Sequence, residues 1–156
     1  MSFRKEKFMS LAGITAVEHP LNELKNISRS LLDAGIHGIC FSAYDEGQQP
    51  GDQLTEAQVR RKLSILKPHI SWVRTFSCTE GNELIAQIAH ELGIKTLVGA
   101  WLGDDLEKDE AEIAGLITLC RQGAVDVAAV GNEVLYREDL EVNALVNYIE
   151  RVKAEV

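Results

Sequence analysis

The sequence is short of several things, and each shortage excludes something. It has three cysteines and three prolines in 156 residues, and aromatic residues make up 6%. Cys40, Cys78 and Cys120 are widely spaced, odd in number, and form neither a CxxC pair nor a zinc-type spacing. A disulfide-stapled scaffold is therefore excluded, and the three read as small core hydrophobes in a reducing, cytoplasmic setting. His19, His37, His69 and His90 include no HxH or HExxH pattern, so all four read as structural or solvated and no metal is expected. Neither GxxxxGK[ST] nor GxGxxG is present, which weakens a nucleotide-binding fold and leaves no cofactor implied. Basic residues are outnumbered, 16 against 24 acids, for a net charge of −8. That surface repels phosphate backbones, so nucleic acid and anionic membrane are poor partners. No apolar run approaches the roughly 18–20 residues that span a bilayer. The basic start MSFRKEKFMSLAG leads into no long apolar stretch, so it does not read as a secretory signal.

What is present is ordinary for a globular domain. Hydrophobic residues make up 46% and charged residues 26%, close to the usual soluble composition, and the length suits one core. Short β-prone runs alternate with longer amphipathic ones. The runs 37–41, 72–76, 95–100 and 126–131 read as buried strands, and 56–66, 82–92, 106–120 and 140–153 as helices. Thr55 is placed to cap the first of these helices, Pro68 to stop it, and Gly93 and Gly123 to end the next two. A further helix, roughly 21–32, precedes them. Residues 1–36 thus form an N-terminal extension and helix, and 37–156 four βα units with a period of about 30 residues. Two α/β architectures fit: an open doubly wound sheet, or half of a (β/α)₈ barrel, which typically needs about 250 residues.

In either, ligand-binding groups gather at the C-terminal ends of the strands. Those positions hold Ser42-Ala43-Tyr44-Asp45-Glu46, Ser77-Cys78-Thr79-Glu80-Gly81-Asn82, Trp101-Leu102-Gly103-Asp104-Asp105 and Asn132-Glu133-Val134-Leu135-Tyr136-Arg137. Aromatic rings stack on sugar faces, and amides and carboxylates grip hydroxyls, so the mixture suits a carbohydrate. Glu133 follows the apolar run Val-Ala-Ala-Val-Gly. Partly desolvated at a sheet mouth, it would act as a general acid; solvated in a loop, it is an ordinary Glu or a helix cap. Asn132 is placed to bond a substrate hydroxyl. Arg74 lies inside an apolar run, where it needs a carboxylate partner or must snorkel from an edge strand. Trp101 and Tyr44 are either stacking platforms or core. Asp104, Asp105 and Glu107 suit a helix N-terminus, and the run 107–112 reads as a solvated helix face.

These segments resemble glycoside hydrolase family 17, the β-1,3-glucanases and glucanosyltransferases. The residues that carry the likeness are Gly38-Ile39-Cys40-Phe41-Ser42-Ala43-Tyr44, Trp72-Val73-Arg74-Thr75-Phe76-Ser77-Cys78, Thr96-Leu97-Val98-Gly99-Ala100-Trp101-Leu102-Gly103 and Val130-Gly131-Asn132-Glu133-Val134-Leu135-Tyr136-Arg137. The resemblance implies a (β/α)₈ barrel acting on β-1,3-glucan with retention. It implies that Glu133 is the acid/base, that Asn132 orients the substrate, and that Tyr44, Arg74, Phe76, Trp101 and Tyr136 contact the sugar. The family's nucleophile is a second glutamate near the end of the barrel, and no residue here matches it. The expectation is therefore an N-terminal half, inactive alone, that self-associates or pairs with a separate C-terminal half. The alternatives are a non-catalytic β-glucan-binding module, a truncated remnant, or a doubly wound small-molecule domain.

Overall fold

The computed structural model describes residues 19–156; the basic N-terminal segment discussed above lies outside them. The chain divides into two compact units, Met1–Asp33 and Ala34–Val156. Of the first unit, residues 19–33 are described; most of them lie in the helix α1 (Leu21–Ala34), which carries no buried residue.

The second unit runs β1 (Ile36–Cys40), α2 (Glu56–Leu66), β2 (Ile70–Arg74), α3 (Glu83–Glu91), β3 (Lys95–Ala100), α4 (Leu106–Arg121), β4 (Val127–Val130) and α5 (Val142–Glu155). Thr55 caps α2 by accepting from the Gln58 N–H at 3.3 Å. Asp105 does the same for α4, accepting from Glu107 and Lys108. Helices α3 and α4 both end with a left-handed glycine, Gly93 at φ 72° and Gly123 at φ 75°. The following residue, Ile94 or Ala124, bonds back to the Ala89 or Leu119 carbonyl and is itself buried. Sequence and structure differ at β2, expected over 72–76, which runs from Ile70 to Arg74 and leaves Phe76 in the loop beyond it.

The four strands are parallel and lie in the order β1-β2-β3-β4. A doubly wound sheet reverses its strand order at a switch point; this one adds every strand on the same side of its predecessor, as successive strands of a (β/α)₈ barrel do. The doubly wound expectation is thereby corrected. Register separates the two faces. Thr96, Val98 and Ala100 of β3 and Val73 of β2 turn toward the helices and are essentially sealed. Around them two apolar clusters form: Leu54, Val59, Leu63, Ile85 and Ile88 under α2 and α3, and Leu102, Ile113, Leu116, Val134 and Val152 under α4 and α5. On the other face, register aligns Cys40 with Arg74, Arg74 with Leu97, and Leu97 with Val127. That row is open: Cys40 is exposed and Val127 is 44% exposed. Of the three thiols expected in the core, Cys78 alone is fully buried, because Cys40 sits on the uncovered face.

Two glycines test the packing of the loops. A Cβ on Gly93 would meet nothing within 4 Å, whereas one on Gly81 (φ 84°) would stand 2.5 Å from the Leu54 carbonyl oxygen. Gly93→Ala should cost about 1 kcal/mol, from left-handed strain alone. Gly81→Ala should cost distinctly more, because the backbone of the neighbouring loop must also move. Urea unfolding midpoints check both, and equal costs would contradict the close approach.

Candidate carbohydrate site

The loops after β1, β2 and β3 enclose a cavity of about 780 Å³ with the first turns of α4. Phe41, Tyr44, Phe76 and Trp101 supply its rings, and Ser77, Thr79, Asn82 and Asp104 are among its polar groups. Three residues expected to contact sugar, Tyr44, Phe76 and Trp101, are thus brought together. The Tyr44 hydroxyl accepts from Asn82 Nδ2 at 3.2 Å, and Trp101 is 43% exposed, a ring offered to solvent rather than used as core.

The remaining expected residues gather beside the cavity, at the end of β4. Glu133 occupies the left-handed region, φ 54°. A non-glycine residue held there stores strain of order 1–3 kcal/mol, and such outliers cluster at functional sites. Its side chain is exposed among the described residues, so the partial desolvation expected for it is not supplied by them. Tyr136 is 87% exposed and does not line the cavity.

Two arginines join the groups. Arg74 donates from Nη2 to Asn132 Oδ1 at 2.7 Å, and its guanidinium carbon lies 4.7 Å from the Phe76 ring centre. The carboxylate expected as its partner is an amide instead. Snorkelling is also corrected, since β2 lies inside the sheet. Asn132 Oδ1, expected on substrate, is engaged by Arg74. Arg137 donates to the Asn132 carbonyl, to the Leu102 carbonyl at 2.7 Å and to Asp139, and stacks 4.4 Å over Trp101. Each cation–π contact is worth about 0.5–1 kcal/mol where exposed. Asn132 is therefore held from both ends by arginines that lie on two of the cavity aromatics, Phe76 and Trp101.

Sequence reasoning missed Arg137's role, and it misread α4. Asp109 and Glu112, expected on a solvated face, are 1% and 4% exposed. Glu112 takes four hydrogen bonds: at Oε1 from the Ser77 and Thr79 hydroxyls (2.5 and 2.7 Å), at Oε2 from the Cys78 and Trp101 N–H groups (2.7 and 3.1 Å). Asp109 Oδ1 accepts from the Gly103 N–H at 2.7 Å. The available signal was periodicity: positions 109 and 112 share one helical face with Ile113 and Leu116. Cys78 is unsuited to nucleophilic work, because burial first and the Glu112 charge second push its thiol far above the usual range. Among the described residues, no cluster of His, Cys, Asp and Glu could hold a metal ion.

A parallel sheet of unreversed order, with an aromatic-walled cavity at its C-terminal edge, defines the class: part of a (β/α)₈-type domain with its candidate ligand site at the strand ends. The chain belongs to the BtgE/BtgC glycoside hydrolase domain family, whose model matches residues 38–156, and its fold is that of a glycoside hydrolase family 17-like domain. It is 27% identical over 95 residues to the glucan 1,3-beta-glucosidase BGL2 of Candida albicans, covering 58% of this chain and 31% of that protein. A second Candida albicans glucan 1,3-beta-glucosidase is 28% identical over 98 residues, 60% of this chain and 32% of that one. An active-site mutant of the Rhizomucor miehei beta-1,3-glucanosyltransferase, solved with laminaritriose, superposes with a TM-score of 0.63 at 28% identity. That match covers 78% of this chain and 46% of the neighbour. The chain thus spans about a third of the curated relatives and about half of the solved enzyme.

Asp109 offers a test of the burial on α4. Desolvation raises its pKa above 3.8, and the Asp105, Asp139 and Glu110 charges add to the rise, against the opposing Gly103 hydrogen bond. As pH climbs past 3.8 the unfolded chain releases this proton before the folded one, so the folded state loses stability over that range. Asp109→Asn keeps the Oδ1 acceptor and cannot ionise. Its stability relative to wild type should rise between pH 4 and pH 7, read from urea midpoints; a difference that stays constant with pH would refute the burial argument.

Proposed function

We propose that this domain supplies the first half of a barrel that acts on β-1,3-glucan with retention, Glu133 donating the proton to the glycosidic oxygen. The carrying observation is the pair of arginine links that tie the Asn132–Glu133 turn to the Phe76 and Trp101 rings of the cavity. Family membership and the laminaritriose complex of the fungal neighbour support the choice of glucan. In this reading a chain of β-1,3-linked glucose stacks on Phe76 and Trp101, with Tyr44 and Asn82 among its polar contacts. The scissile bond then lies over β4, beside Glu133. Tyr136 meets the sugar only from outside the cavity.

Retention needs a second carboxyl about 5–5.5 Å from the first, and a proton donor works best when water is excluded from it. Glu133 is exposed, so both requirements fall to whatever covers the open sheet face. Val127 of β4, Leu135 in the following loop, and Val142 and Val146 of α5 are each at least 44% exposed, apolar surface that further barrel strands would cover. A separate C-terminal half would bring the second glutamate. Two copies of this domain would close the sheet but carry two donors and no dedicated nucleophile. Three unpaired thiols fit a reducing, cytoplasmic compartment.

A second reading is favoured by one observation: Glu133 is not among the residues that line the cavity. The cavity would then hold glucan without cutting it.

Laminari-oligosaccharides separate the two. The 156-residue chain alone should bind them without turnover. Once completed by a C-terminal half it should hydrolyse or transfer them, and Glu133→Gln should lower that turnover about 10²–10⁴-fold with binding retained. Turnover by the chain alone that vanishes in Glu133→Gln would overturn the half-enzyme reading; binding with no turnover even after completion would favour the module. Mass in solution should rise with concentration as the open edge is covered, and a strict monomer at high concentration would count against self-association.

A further inference from the structure

We propose that Glu112 is a positioning residue for the cavity wall: its carboxylate fixes Trp101 and the Ser77–Thr79 turn in one arrangement, so that the rings meet sugar preformed. The proposal rests on the glucan reading above only for the identity of the ligand. Glu112 belongs to α4, yet its carboxylate reaches off that helix. All four donors lie on two other loops, the Ser77, Cys78 and Thr79 groups after β2 and the Trp101 amide after β3. Both carboxyl oxygens act purely as acceptors, each with two donors. The two backbone donors share Oε2, so the Cys78 and Trp101 amides are tied to one point.

The turn also lies directly on the helix backbone. A Cβ on Gly115, one turn further along α4, would stand 2.7 Å from the Cys78 carbonyl oxygen. That approach brings the Cys78 amide within reach of Glu112. Trp101 is then pinned twice, at its amide by Glu112 and on its ring by Arg137. Phe76 precedes the held turn directly, and Gly99 lets its backbone pass close to β3: a Cβ there would stand 3.2 Å from Phe76 Cα. Preorganised rings spare a ligand the entropy of ordering them.

Glu112→Gln replaces one acceptor oxygen by an NH₂ that opposes two donors. Made in a Trp72→Phe background, which leaves Trp101 as the single indole, it should shift the emission and increase acrylamide quenching. It should also weaken laminaritriose binding at least tenfold. Ile113→Ala, a core truncation on the same helix, is the control: it should lower stability and leave quenching unchanged. The pair Ser77→Ala/Thr79→Val removes the two hydroxyl donors only. It should give a smaller change in the same direction, and it decides the matter if Glu112→Gln fails to fold. Lost stability with unaltered Trp101 quenching would make Glu112 merely structural and overturn the proposal. If wild type ignores laminaritriose while quenching changes as stated, the glucan reading falls and the positioning role stands.

Discussion

A carboxylate sealed between a helix and two loops is the constraint on which the site depends. Removing a charge from water costs several kcal/mol even after relaxation, and that cost is offset only where every acceptor lone pair finds a donor. Glu112 meets the condition with two hydroxyls and two amides. Its demand for donors in turn dictates where the β2 and β3 loops lie. Asp109, one turn earlier, accepts from the Gly103 amide at Oδ1 but leaves Oδ2 buried without a donor among the described residues. Helix α4 therefore acts as a spine from which the cavity wall is hung.

The other loops are tied laterally. The Leu54 amide bonds the Glu80 carbonyl at 2.9 Å, linking the β1 and β2 loops. Gln58 Nε2 holds the Ala43 carbonyl at 2.8 Å. Arg74 and Arg137 carry the series on to the Asn132–Glu133 turn. Each loop is braced by its successor, which is what a binding surface built on irregular backbone requires. The series stops at β4. There, among the described residues, the sheet has no further strand, and Glu133 is exposed.

Much of the scaffold was legible in the residues. Strand β3 and helix α2 could be bounded from the sequence, because β-branched runs, a Thr cap and the glycines after α3 and α4 act locally. The gathering of Tyr44, Phe76 and Trp101 followed from one topological rule about strand ends. The burial of Asp109 and Glu112 did not, because a run of acids at a helix start reads as solvated unless the donors that will meet it are known. Those donors are more than 30 residues away in the chain for Ser77, Cys78 and Thr79. Arg74 was visible as an anomaly, but its partner, 58 residues on, was not.

The sequence by itself determined the alternation of strand and helix, the caps and stops, and the residue types at each strand end, since these rest on side-chain propensity and short-range hydrogen bonds. Only the tertiary structure decided the strand order, the inward turn of two carboxylates, the engagement of Asn132 by arginines and the exposure of Glu133. Those depend on which distant groups meet across the sheet, and desolvation of a charge is a property of its neighbours rather than of its place in the chain.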